Sequence, residues 1–130
     1  MIYCCESYIT ITGNPSLAGK PGGVDELVKS YDEAGIDGAI ALCSGPRADA
    51  ADNRTVWEAM KKHPSRILGM YANYSWLKGR ELVEDFRRAV TEWGFKGLKG
   101  GGNEDEMTKT AADLGVVITI HTPASYKGIA

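Results

Sequence analysis

Asp113-Leu114-Gly115-Val116-Val117-Ile118-Thr119-Ile120 is the stretch whose reading decides the fold. A helix-compatible segment meets a glycine, and an unbroken apolar run starts at once. Glycine suits the position just past a helix because it enters the left-handed region without a Cβ clash. The run that follows does not alternate between apolar and polar residues, as expected for a strand covered on both faces. The same junction stands twice upstream, at Glu33-Ala34-Gly35-Ile36 and Glu92-Trp93-Gly94-Phe95. A fourth, His63-Pro64-Ser65-Arg66, uses proline to stop the helix.

Working back from each junction gives the helices. Leu27, Val28, Tyr31 and Ala34 share one face of a helix predicted over 24–34. Asp52 or Asn53 caps a second helix carrying Val56, Ala59 and Met60. A third places Leu82, Phe86, Ala89, Val90 and Trp93 on one stripe. A short fourth starts near Asn103 and carries Met107, Ala111 and Leu114. Between them lie five apolar runs, at 2–10, 38–43, 67–72, 95–99 and 116–121. Strand–helix alternation with short turns implies a parallel sheet with right-handed crossovers, in a single α/β domain spanning residues 1–130.

Composition fits that class and excludes others. The chain has 130 residues, 43% of them hydrophobic and 25% charged, as in ordinary globular domains. A net charge of −2, with no basic run, gives no electrostatic basis for nucleic-acid binding. The apolar runs are strand-sized, far short of the ~20 residues of a membrane span. The N-terminus lacks the basic and long apolar regions of a signal peptide. Three cysteines, Cys4, Cys5 and Cys43, have no disulfide-framework spacing, so free thiols in a reducing cytoplasm are expected.

In a parallel α/β sheet, ligands bind beyond the carboxyl ends of the strands. Glu6 and Tyr8 lie in the first strand, Cys43 closes the second, and Tyr71 and Asn73 lie at the end of the third. Lys99 with Gly100-Gly101-Gly102 follows the fourth, and His121-Thr122-Pro123 the fifth. His121 is either a ligand or a strand-end histidine bonded to a backbone carbonyl. His63, at a helix end, is read as structural, its imidazole meeting the last carbonyls. Lys99 either faces a site or reaches to solvent. Cys43 is a nucleophile or a small buried filler. Tyr71 lines a pocket or covers the sheet end. The triglycine suits a phosphate-binding turn or a plain loop, since it is neither G-x-G-x-x-G nor a P-loop.

Four segments resemble one family. Ala50-Ala51-Asp52-Asn53-Arg54, followed by Lys62-His63-Pro64-Ser65-Arg66-Ile67-Leu68-Gly69, resembles the second helix and third strand of the amidohydrolase-2 group. The segment from Asp25-Glu26-Leu27 to Asp32-Glu33-Ala34-Gly35-Ile36-Asp37 resembles its first helix. Gly94-Phe95-Lys96-Gly97-Leu98-Lys99 is similar to its fourth strand, and Leu114 to Thr122 to its fifth. The order and spacing hold along the whole chain. The resemblance implies a TIM (β/α)8 barrel that binds a divalent metal, usually zinc. It also implies hydrolysis of C–N or C–O bonds, or decarboxylation of small acids, with the metal as Lewis acid or water activator.

In that family the metal ligands are a His-x-His on the first strand, a histidine each on the fifth and sixth, and an aspartate on the eighth. His121 matches the fifth-strand ligand. Glu6 and Tyr8 stand in the two first-strand slots, and residues 4, 6 and 8 are expected on one face of the strand. The other two positions have no counterpart in this sequence. The resemblance thus nominates His121 and Glu6 for a metal, and the strand-end positions nominate Tyr8, Cys43, Lys99, Tyr71, Asn73 and Thr122 for a pocket. A site without metal is the alternative.

A complete barrel takes ~250 residues. Five strands leave hydrophobic edges on the first and last. A partial barrel in a homodimer or higher oligomer is expected, the chain being a fragment of a longer barrel or completed by its own copies. A flavodoxin-like sheet of strand order 2-1-3-4-5 is the alternative. Three functions follow: a hydrolase or decarboxylase of a small molecule, an inactive truncated scaffold, or a small phosphate-binding module.

Overall fold

The structure, a computed structural model, describes residues 1–9, 23–43, 52–72, 77–100 and 105–120. The elements run β1 (Tyr3–Ile9), α1 (Val24–Ala34), β2 (Gly38–Cys43), α2 (Asn53–Lys62), β3 (Ile67–Ala72), α3 (Gly79–Thr91), β4 (Gly97–Gly100), α4 (Asp105–Asp113) and β5 (Val117–Ile120). All pairings are parallel, and the strand order is β1-β2-β3-β4-β5. Each strand therefore returns beside its predecessor, always in the same direction. This is barrel order, and it overturns the flavodoxin-like alternative, which needs β1 between β2 and β3. Among the described residues no helix is long and apolar enough to cross a membrane.

The junction glycines explain the repetition. Gly35, Gly94 and Gly115 all have left-handed backbones, with φ of 69°, 77° and 66°. After each turn the next residue donates its N–H back into the helix: Ile36 to the Tyr31 carbonyl, Phe95 to Ala89 and Val116 to Ala111. The helix thus closes its orphan carbonyls while the chain reverses toward the sheet. At the proline junction Arg66 takes over this joining role. Its guanidinium donates to Asp32 and to the carbonyls of Ile36 and Asp37, tying the start of β3 to the turn before β2.

Asp52, one of the two cap candidates, caps α2, accepting the Thr55 N–H at 3.0 Å. Asn53 is buried, and its side chain turns to the sheet. Its amide donates to the Ala72 carbonyl and its oxygen accepts the Ala72 N–H, both at 3.0 Å. One side chain thereby fixes α2 against the end of β3. Ile67, Tyr71 and Leu98 line the outer sheet face toward Val56, Phe86, Ala89, Met107 and Ala111. Ala39, Ala41 and Gly69 keep that face thin. A Cβ on Gly69 would stand 2.4 Å from the Met60 sulfur and 3.0 Å from the Phe95 ring. Outside this layer Trp57 of α2 stacks on Trp93 at 4.9 Å, with Lys61 over the Trp57 ring.

The inner face shows the curl. β1 and β4 are separated by two strands, about 14 Å along a flat sheet. Yet Lys99 of β4 meets Glu6 of β1 across that face. The sheet is curved, with helices outside and Glu6, Tyr8, Leu42, Met70 and Lys99 inside: five strands of a curled half barrel.

Candidate functional site

The inner site begins with an irregularity in β1. Cys4 pairs with Ala39, but the next register partner, Ala41, is met by Ser7, so one extra residue is accommodated between them. Glu6 sits in this bulge with φ 61°, alone among the described non-glycine residues in having a positive φ. The bulge corrects the expectation that residues 4, 6 and 8 share a face. Tyr8, opposite Leu42, and Glu6, whose carboxylate meets Lys99, point inward. Cys4 is turned outward with Ser7. Their partner there is the Tyr31 hydroxyl, which hydrogen-bonds Ser7 and lies within reach of the Cys4 thiol. Burial pushes the Tyr31 phenol up to about 12.

Lys99 closes the site from the other side. It stands between Ala72 and Thr119 in the sheet register, and its side chain is only 6% exposed. A buried ammonium is tolerated when a paired carboxylate offsets its lost hydration, and Glu6 is that partner. Removing either member of such a pair typically costs about 3–5 kcal/mol, because the other is left charged and buried. The sequence names both residues without pairing them, and the signal for the pair was their charge. Glu6 and Lys99 are charges of opposite sign inside apolar runs, and strands buried on both faces force such residues to find each other.

The other nominated residues divide. Cys43 is buried on the outer side, its thiol 3.7 Å from the Asn53 amide oxygen. Tyr71 is fully buried beside it in the helix layer, where its hydroxyl donates to Asp85 at 2.8 Å and Asp85 in turn holds Arg88. The structure therefore joins Glu6 and Lys99 on the inner face, puts Tyr8 on that same face, and sets Cys43 and Tyr71 behind the sheet. His121, Thr122 and Asn73 lie outside the described residues, as do Gly101 and Gly102 of the triglycine. His63 meets a side chain instead of helix-end carbonyls. Its Nε2 is 2.9 Å from Asp25, which also takes the Lys62 ammonium at 2.6 Å. Lys62 first, and His63 with it, hold the Asp25 carboxyl below the usual aspartate range. Asp25 and Lys62 border a cleft of about 370 Å³ between α1 and α2, lined also by Ile9, Thr55 and Glu58 among others.

Among the described residues no three His, Cys, Asp or Glu side chains gather in a form that could hold a metal ion. The inner site offers one carboxylate, one ammonium and one phenol. It can pair with a charged ligand group and move a proton.

No family model matches the chain, and no curated protein matches it. Solved structures do. A 2,6-dihydroxybenzoate decarboxylase from Rhizobium is 19% identical with a TM-score of 0.68, covering 98% of this chain and 52% of its own. A 5-carboxyvanillate decarboxylase from Novosphingobium aromaticivorans, with bound manganese, is 22% identical with a TM-score of 0.60, covering 74% and 34%. A probable 2-pyrone-4,6-dicarboxylic acid hydrolase from Acinetobacter baumannii is 14% identical with a TM-score of 0.61, covering 94% and 49%. These neighbours belong to the amidohydrolase-2 group that the sequence resembles, and this chain spans from a third to about half of their length. At such identities the likeness speaks for the fold alone: the chain is a partial (β/α)8 barrel.

Proposed function

We propose that the protein acts on a small carboxylic acid, by hydrolysis or decarboxylation, at the carboxyl end of its half barrel. The observation that carries this reading is the Glu6–Lys99 pair on the inner face. An acid needs a cation for its carboxylate and a group that moves a proton. Lys99 supplies the first and Glu6 the second, with Tyr8 on the same face. The neighbours add support, since their substrates are dihydroxybenzoate, carboxyvanillate and a pyrone dicarboxylate.

The manganese of the carboxyvanillate enzyme supports a divalent ion, manganese or zinc, in barrels of this kind. The described residues of this chain do not fit one. Their single inner carboxylate already carries an ammonium, and a neutral phenol is a poor ligand. His121 remains a site candidate by resemblance, and Thr122 and Asn73 by their place in the sequence; a metal would need His121 together with donors from outside the described residues. The internally neutralised pair favours a second reading, an inactive scaffold that keeps the barrel half without its chemistry.

We further propose that a second copy covers the open edges, with β5 of one protomer beside β1 of the other. Ile2 and Val117, at 62% and 63% exposure, and the half-exposed Ile120 support this. Cysteine usage without a disulfide-framework spacing fits a cytoplasmic setting. The test is an assay on the purified chain, with its assembly state fixed by light scattering. Release of CO2 from dihydroxybenzoates, or opening of a pyrone dicarboxylate, is expected from a dimer or higher oligomer. Glu6→Gln and Lys99→Met should lower it at least tenfold. A monomer would contradict the second copy, and no turnover of any of these acids would leave the scaffold reading.

A further inference from the structure

We infer that the Lys99 ammonium is the resident cation of Glu6, standing where the resemblance calls for a metal, and that it keeps divalent ions from the first-strand carboxylate. This deepens the reading of the same site, and three observations carry it.

The first is position. Glu6 occupies the first-strand slot that the resemblance gives to a metal ligand, and its carboxylate is engaged by an amine from β4. The second is burial. With 6% of its side chain exposed, Lys99 has no easy route to water, so a divalent ion approaching Glu6 would meet a fixed positive charge at close range. An exposed lysine would swing aside; a buried one loses its compensating partner if it does. The third is the bulge. By absorbing one residue between Cys4 and Ser7 it gives Glu6 its own backbone direction and turns Cys4 toward Tyr31. Cys4 is thereby kept off the inner face, while Glu6 and Tyr8 stay on it. Lys99 and the bulge act together: one supplies the positive charge, and the other sets the direction of the carboxylate that meets it.

The inference makes lysine removal a gain of function for metal. The full-length chain, stripped by chelator and dialysed, is titrated with Mn²⁺ and with Zn²⁺ by calorimetry, and bound metal is counted by elemental analysis. The parent protein and Glu6→Gln should retain the same metal content, because Glu6 is not a ligand in the parent. Lys99→Met should bind Zn²⁺ at least tenfold more tightly than the parent. That gain should vanish in Glu6→Gln/Lys99→Met and be absent in Lys99→Arg, which keeps the charge. Stoichiometric metal in the parent that Glu6→Gln releases would overturn the inference, and so would a folded Lys99→Met with no gain. If Lys99→Met fails to fold, the comparison of parent with Glu6→Gln decides alone. These titrations read metal without turnover, so failure of the acid assay leaves their outcome intact.

Discussion

Tyr31 shows how a single buried group sets a condition on the whole fold. Its hydroxyl bonds Ser7 between α1 and β1, and desolvation raises its pKa from 10.0 to about 12. Below pH 10 the phenol is protonated in both folded and unfolded chains, and the contribution of its buried form is fully present. Between about 10 and 12 the unfolded chain gives up this proton first, so stability falls as pH rises. Urea midpoints followed from pH 9 to 12 should decline through that window, and the decline should be smaller in Tyr31→Phe. Neither this contact nor the Asn53–Ala72 bracket is legible in the sequence. Tyr31 reads as one more apolar position on a helical stripe, and Asn53 as a possible cap. Their real partners lie in strands that become neighbours only when the sheet forms.

At the scale of elements, the helix-to-strand joints were the most legible part of the chain. Gly35, Gly94 and Gly115 mark a local backbone need, and all three sit in the left-handed region that their placement predicts. The β1 bulge was not legible, because a bulge is a property of the pairing between two strands. Two kinds of glycine should therefore respond differently to alanine. Gly94 has open space around its missing Cβ, so Gly94→Ala should cost about 1 kcal/mol, all of it backbone conformation. At Gly38 a Cβ would lie 2.6 Å from the Tyr3 ring and 2.7 Å from the Arg66 carbonyl oxygen. Gly38→Ala should cost more, about 1–3 kcal/mol, by forcing β1 and β3 apart where β2 starts. Denaturant melts of the two variants check the ordering.

At the scale of the whole molecule, sequential strand order and the contact between the first and fourth strands describe one curved sheet. Strand–helix alternation fixes the parallel class but leaves two strand orders open, since both satisfy the same local signals. The choice falls to the long-range neighbours of β1. The candidate site was legible as a set of strand ends, but its inner members were not separable from Cys43 and Tyr71, which face the helices. The Glu6–Lys99 pair carries both the curvature and the proposed site, so their coupling is the most direct test. Stability is measured by urea denaturation for the parent, Glu6→Gln, Lys99→Met and the double variant. The curled half barrel predicts a coupling free energy of about 2 kcal/mol or more, with the double variant more stable than Lys99→Met alone. Additive effects with no coupling would mean that Glu6 and Lys99 do not meet, and would contradict both the curl and the site.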